Sequence, residues 1–345
     1  MSDRTVLVGY DGSTGAREAV ALALPLARWW RAGIHLVTVH PPIAAPGAIR
    51  SAAHESRVAV TAAQGARLVG GSVKCRSSEI RAATTARGLH ELATGGGAKC
   101  VVVGRARHRP RLTASVGRQV LHGCPVAVAL PGHGLKPRVE IDDIVLAVDA
   151  RLAELADHRP VNLRPPGHIG LQQQLDQLID FAGQAAADPG RRIRLCALVE
   201  PSEESTGVPD RIQRATDYAR ERLDADIEVM IAAVGELSDR VDSRDLVVHV
   251  GDAFGAHGYL QPSPTDLHLL HENGLSLLML PPTPPGAITG TAQGDGRRHM
   301  AGGGDVDDGP GVEDSHSSRA ANRRSRRSVR SRRDQVEMAS GRFAP

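Results

Sequence analysis

In Thr5-Val6-Leu7-Val8-Gly9-Tyr10-Asp11-Gly12-Ser13 an aspartate stands between a run of strand-forming residues and a helix. The apolar run reads as a buried parallel strand, and Ala16, Ala19, Val20 and Ala23 mark the helix that follows. Such a turn carries the Asp11 carboxylate to the carboxyl end of the strand, the edge at which open α/β sheets bind ligands. There it can meet a sugar hydroxyl, or Asp11 and Ser13 can simply cap the helix. A second stretch with chemistry in it runs from Cys100 to Pro131. Val101-Val102-Val103-Gly104 reads as another buried strand, Arg105, Arg107, His108, Arg109 and Arg111 crowd the loop behind it, and Ala114-Ser115-Val116 opens a short helix. Guanidinium groups bind phosphate bidentately. A helix start offers an anion free N–H groups and the positive end of its dipole. The same residues would also make an ordinary solvated basic loop.

Alternating strands and helices must hold these residues in place. The apolar pattern predicts strands over 5–10, 34–39, 71–76, 100–104 and 125–130, with helices over 14–32, 51–69, 80–94 and 114–123. Strand–helix alternation at this spacing implies parallel βαβ units with right-handed crossovers. Pro25 should kink or break the first helix. A second, more worn copy follows. Ile144 to Asp149 matches the first strand, with Asp149 in the place of Asp11, and Asp245 to Gly251 matches the fourth. Leu270-His271 and then Leu275 to Pro281 match Leu121-His122 and the last strand of the first copy. Helices over 171–187 and 209–224 and strands over 194–199 and 227–232 lie between. The recurrence in one order points to an internal duplication.

Together these stretches resemble the universal stress protein family. Its first strand ends in V-D-G-S and its fourth in V-V-G, followed by a glycine-spaced phosphate loop, G-S-V, a V-L-H helix and a C-P-V strand. The resemblance covers residues 4–131. It implies two doubly wound, open parallel-sheet α/β domains in tandem, Rossmann-like and of the adenine-nucleotide-hydrolase type. These are expected over 1–135 and, degenerate, over 136–285, with a disordered Gly/Asp/Arg-rich tail over 286–345. Carried over residue by residue, it implies that Asp11, Gly12 and Ser13 meet the ribose and that the backbone of Val39 reads adenine. Val103 and Gly104 would lie beneath the phosphates, and Ser115 and Val116 would open the anion-binding helix. Arg107 stands where the family loop has its second glycine, and Ala114 or Gly117 where it has its third. Ala114 keeps Ser-Val and aligns Val120-Leu121-His122. The arginines would then replace lost glycine amides. The implied ligand is ATP or a related adenine nucleotide, with or without Mg, in a regulatory protein without catalytic or metal-binding residues. The alternatives are a ligand-free homologue acting through protein–protein contacts and a nucleotide hydrolase. The last-strand edge at Val126–Leu130 would serve a homodimer. In the second copy, Asp149-Ala150-Arg151, a Pro-rich insertion from Arg159 to Gly170, and Gly251-Asp252 imply that no nucleotide binds.

Composition bounds the rest. The chain has 345 residues, 41% hydrophobic and 2% aromatic, so its core must be aliphatic. No apolar run is long enough to span a membrane, and Met1 to Arg4 does not open a signal segment, so the cytoplasm is the expected location. Four scattered cysteines and fifteen histidines show no zinc or metal spacing. Trp29-Trp30 is expected to pack a helix end on a sheet. Net charge is +3, matched by the eleven arginines and eight acids beyond Pro285. Eight arginines between Arg319 and Arg333, interleaved mainly with serine, form either an arm that holds nucleic acid by counterion release or a solvated extension.

Overall fold

A computed structural model describes residues 4–40, 52–105, 116–137, 140–149, 171–186, 191–199, 208–251, 253–254, 260–272 and 274–282. Residues 1–289 form one compact unit and Gly290 begins another. The Arg159–Gly170 insertion and the tail beyond residue 285 lie outside the described residues.

The first half runs β1 (Thr5–Gly9), α1 (Thr14–Trp29), β2 (Gly33–His40), α2 (Ala52–Val69), β3 (Cys75–Arg81), α3 (Thr85–Thr94), β4 (Ala98–Val102), α4 (Val116–Leu121) and β5 (Ala127–Leu130). The second runs β6 (Asp143–Asp149), α5 (Leu171–Ala185), β7 (Arg192–Val199), α6 (Val208–Leu223), β8 (Ile227–Ala233), α7 (Leu237–Arg240), β9 (Leu246–Val250), β10 (Ala253–Phe254), β11 (Leu260–Gln261), α8 (Pro264–His271) and β12 (Ser276–Leu280). The expected open, mostly parallel α/β architecture is present in both halves.

Ten strands form one sheet in the order β3-β2-β1-β4-β5-β12-β9-β6-β7-β8. Each half is doubly wound, and the second repeats the strand order of the first in mirror sequence. The join is antiparallel: Leu277, Leu278 and Met279 of β12 pair with Leu130, Ala129 and Val128 of β5. This corrects the expected dimer surface. The edge at Val126–Leu130 is occupied by the chain's own last strand, so its backbone groups are not open to a second molecule.

Two apolar layers flank the sheet. Val6, Val8, Leu22, Leu26, Leu178 and Ile212 belong to one, while Leu7, Leu89, Val101, Leu121, Leu237 and Leu269 belong to the other. Helix α1 is buried almost all round, which explains its continuous Ala/Leu/Val composition. Full burial of Leu22 and Leu26 contributes about 1.5–3 kcal/mol each. The helix continues through Pro25 instead of breaking there. Packing on both sides of the helix outweighs the hydrogen bond that proline cannot make. Trp29 and Trp30 both meet Phe181 of α5 edge-on, at centroid distances of 5.8 and 5.9 Å. The tryptophan pair thus packs across the two halves, not simply on the first half's sheet.

The third strand is displaced from its expected place at 71–76. Gly70–Ser72 forms a single 3-10 turn, and β3 begins at Cys75. Its alternating, half-polar Cys-Arg-Ser-Ser-Glu-Ile-Arg sequence suits a strand paired on one side only. Helix α3 accordingly starts late, with Thr84 Oγ1 accepting from Arg87 N at 3.1 Å.

Candidate functional site

In the first half the chain runs from β1 to β2 and β3 in one direction, then places β4 on the other side of β1. Such a switch point opens a crevice at the carboxyl ends of the strands. The apolar β1 ends at Gly9, and Tyr10 N donates to Val37 O at 2.9 Å, adding one last backbone bond between the strands. The Tyr10 ring is buried against α2, where a Cβ on Gly65 would come within 3.0 Å of it. The chain then turns outward. Asp11 Oδ1 accepts from Ser13 N at 2.9 Å, Gly12 takes φ +80°, and Ser13 Oγ caps α1 by accepting from Ala16 N at 3.1 Å. A side chain at Gly12 would be strained. Asp11 is exposed, so the turn lifts its carboxylate to the rim of the crevice. The expected cap is present in Ser13, and Asp11 is exposed beside it.

Val39 lies near the end of β2, two residues beyond the last β1–β2 register pair, Gly9 with Val37. Even-numbered residues of β2 bond toward β3, as Ile34 N to Lys74 O and Ala82 N to His40 O show. Odd-numbered ones face β1. The Val39 backbone therefore faces the crevice side while its side chain packs near Gly88 and α3. Thr38 Oγ1 donates to Tyr10 O at 2.8 Å.

Across the crevice Val103 is buried beneath Gly9, with 3.2 Å between its Cγ1 and a Cβ built there. Gly104 also passes close to α1. A Cβ on it would stand 2.3 Å from the Gly15 carbonyl carbon, so this glycine lets the loop pass against the first turn of α1. Val116 opens α4. Arg107 and Ser115 lie outside the described residues, and no statement of their geometry follows.

Arg105 departs from the expected basic loop, whose other members, Arg107, His108, Arg109 and Arg111, lie outside the described residues. Its side chain is buried and donates to Pro131 O at 3.0 Å, Leu275 O at 3.1 Å and Leu270 O. Two of these carbonyls belong to the second half, at the end of α8 and just before β12. Burial lowers its pKa to about 10, partly offset by the nearby Glu272 carboxylate. Arg105 joins the halves and is not a ligand group. Nearby, Gly132 N donates to Ser276 Oγ at 3.1 Å, and Glu18 accepts from Gly134 N at 2.8 Å.

The matching crevice of the second half is filled by its own side chains. Asp149, at the end of β6, is buried and accepts from Thr265 Oγ1 of α8 at 3.0 Å. His249 Nε2 lies 3.1 Å from Asp266 Oδ1 with both side chains fully buried, and His249 Nδ1 meets Ala147 O at 2.9 Å. Ser263 and Asp266 form a capping box, with Pro264 in the first turn. That box was legible as Ser-Pro-Thr-Asp. Nothing local announces the partners of Thr265, His249 or Arg105. Residues 150, 151 and 252, on which the expected loss of binding partly rested, lie outside the described residues.

The buried thiols are unreactive. Burial pushes Cys124 and Cys196 up to about 12 and Cys100 well above the ordinary range. Among the described residues no helix is long and apolar enough to cross a membrane.

Comparison with known proteins bears on this geometry. The pattern of the universal stress protein family matches residues 3–130. No curated protein matches the chain. A universal stress protein from Archaeoglobus fulgidus is 12% identical, with 82% of this chain and all of its own covered, at TM-score 0.55. A functionally unknown protein from Pseudomonas aeruginosa is 13% identical over 81% of this chain and 93% of its own, at TM-score 0.53. A putative universal stress protein from the same species is likewise 13% identical over 81% and 93%, at 0.51. At this identity the likeness concerns the fold, and it spans both halves.

Proposed function

Because residues 3–130 carry a universal stress protein domain, we propose that the chain is a regulatory protein of that type which takes one adenine nucleotide at the β1/β4 crevice. The observation that carries this reading is the contrast between Asp11, exposed at the rim, and Asp149, buried against Thr265. The Asp11 carboxylate would accept from the ribose hydroxyls, and the backbone of Val39 would face the adenine edge. Ser115 and Val116 would turn the α4 start toward the phosphates. Val103 and Gly104 line the strand end beneath, and Gly12-Ser13 holds Asp11 in place. ATP is the nucleotide proposed. A ligand held by both β1 and α4 would fix their separation, and the affinity difference between the two spacings is what binding could transmit.

A second reading rests on a specific contact. Asp11 Oδ1 already accepts from Ser13 N, which suits a plain turn in a ligand-free protein that works through protein contacts. Calorimetry with ATP separates the two. The expected result is one site per chain, lost in Asp11→Ala and kept in Asp149→Ala. Two equivalent sites, or one that survives Asp11→Ala, would overturn the proposal, and absence of binding would favour the second reading.

A further inference from the structure

The opposite, amino edge of the sheet carries a separate concentration of charge. Arg4, Arg28, Arg31 and Lys99 are exposed and line one cavity of about 760 Å³ beside Trp29 and Trp30, with Gln184 of α5 completing the wall. An adjoining hollow of about 550 Å³ shares Arg4, Arg28 and Arg31 and adds Lys74 and Arg76. Among the described residues no ion pair engages any of these six cations. Arg28 also lines a third hollow, with Glu140 and Arg191.

The second half shows that this charge is not a consequence of the fold. The strand registers match β1 to β6, β2 to β7, β3 to β8 and β4 to β9. On that match Arg4, Lys74, Arg76 and Lys99 correspond to Asp142, Asp226, Glu228 and Asp245. Four of the six cations of the first edge are thus acids in the second. Moreover, the second edge is largely neutralised from within. Arg244 holds Asp142 at 2.6 Å, Arg194 bridges Asp245 and Asp143, and Arg220 reaches Asp226 at 3.9 Å. Among the described residues the cations of the first edge have no such ion pairs.

The backbone adds an independent sign. Arg31 sits at φ +49° just after α1, where Ala32 N donates to Ala27 O at 2.8 Å and Arg31 N to Arg28 O at 3.0 Å. This is the αL helix-ending motif whose usual residue is glycine, and a side chain there is strained. Asp224, just after α6, takes a similar φ of +48°, so in each half a charged residue ends a helix where glycine would be unstrained, and in the first half that residue is a cation lining the cavity.

We propose that this cavity is an anion site for a small inorganic or organic polyphosphate, distinct from the nucleotide crevice. The length of β1, about 16 Å, separates the two. A concave cavity of ligand size with convergent cations suits a compact multivalent anion. The tryptophans do not offer a stacking face. Trp29 is covered by the Arg191 guanidinium at 5.0 Å, and both rings abut Phe181 edge-on. The site therefore reads charge and not a base, which disfavours single-stranded nucleic acid.

Trp29 and Trp30 are the chain's two tryptophans, so intrinsic fluorescence reports on this cavity directly. Titration of the full chain with inorganic tripolyphosphate at low salt should perturb that fluorescence saturably, and added salt should weaken the effect. Arg31→Gly relieves the strained φ, so it should raise the melting temperature while weakening tripolyphosphate by about tenfold or more. Arg4→Ala and Lys99→Ala should weaken it similarly, and Asp11→Ala should not. The arginine-rich segment over 319–333 is present in every variant and cancels. Affinity unchanged in Arg31→Gly and Lys99→Ala would overturn the proposal, as would the absence of a saturable signal. Loss in Asp11→Ala alone would assign the anion to the strand-end crevice and leave only that reading standing. Preference for an oligonucleotide with the same residue dependence would overturn the ligand class.

Discussion

Asp11 and Asp149 end corresponding strands, β1 and β6, but their surroundings are opposite. Asp11 is exposed above a turn that holds one of its oxygens, whereas Asp149 is buried and bonded by Thr265. The register places His249 where the first half has Val103, and the first turn of α8 supplies Asp266 beside it. The second crevice thus satisfies its polar groups from within the chain. Thr265 gives Asp149 the hydroxyl that a sugar would give Asp11 under the proposed function. Two halves of one strand order can thus differ in whether the residue ending the first strand is exposed or buried by the chain's own side chains. A related opposition recurs at the amino edges, where four cations that form no ion pair among the described residues stand in the places of Asp142, Asp226, Glu228 and Asp245.

The severest test of this comparison is to unpair the buried groups of the second half. Asp266→Ala leaves His249 buried without its acidic neighbour and removes a capping box, and should cost about 3–5 kcal/mol in urea denaturation. Were the loss as small as that of an exposed acid, the second crevice could not be described as core. Next in size is Arg105→Ala. It leaves the carbonyls of Pro131, Leu270 and Leu275 without their donor and should cost about 3 kcal/mol. Because two of those carbonyls belong to the second half, unfolding followed by probes in each half should lose its single transition. A variant that still unfolds in one step would show that β5–β12 pairing and the packing of Trp29 and Trp30 on Phe181 couple the halves without Arg105.

The smallest effect lies at the amino edge. His35 of β2 corresponds to Arg194 of β7, and its Nε2 meets Ser78 Oγ at 2.7 Å. Burial, and then the adjacent Arg76 cation, hold its pKa below the ordinary 6.5. As pH falls the unfolded chain binds this proton first. The His35 contribution is therefore complete above pH 6.5 and is lost as pH falls through the lower folded value. His35→Gln should flatten that part of the stability curve, measured against the parent chain. An unchanged slope would show that His35 does not distinguish the two edges.

Much of this molecule can be read from local pattern. Apolar runs place β1, β6 and β9 to within a residue, and β4 two residues later than the observed Ala98–Val102. Gly12 with Ser13 announces a turn and a cap, and the order of elements reveals the repeat. These signals are legible because strand burial, helix periodicity and turn chemistry act between neighbours in the chain. Pattern was least informative at β3, whose one-sided pairing leaves a half-polar sequence, and at Pro25, where packing decides.

What only the tertiary structure decided depends on residues far apart in sequence. Leu130 pairs with Leu277, Arg105 reaches Leu270 and Leu275, and Asp149 meets Thr265, each across more than a hundred residues. The crowd of arginines after β4 looked like one basic loop, yet Arg105 turns inward because carbonyls from the other half await it. Residue type determines what a side chain can bond. The register between distant strands determines which partner is within reach, and that register is set by the antiparallel join of the two halves.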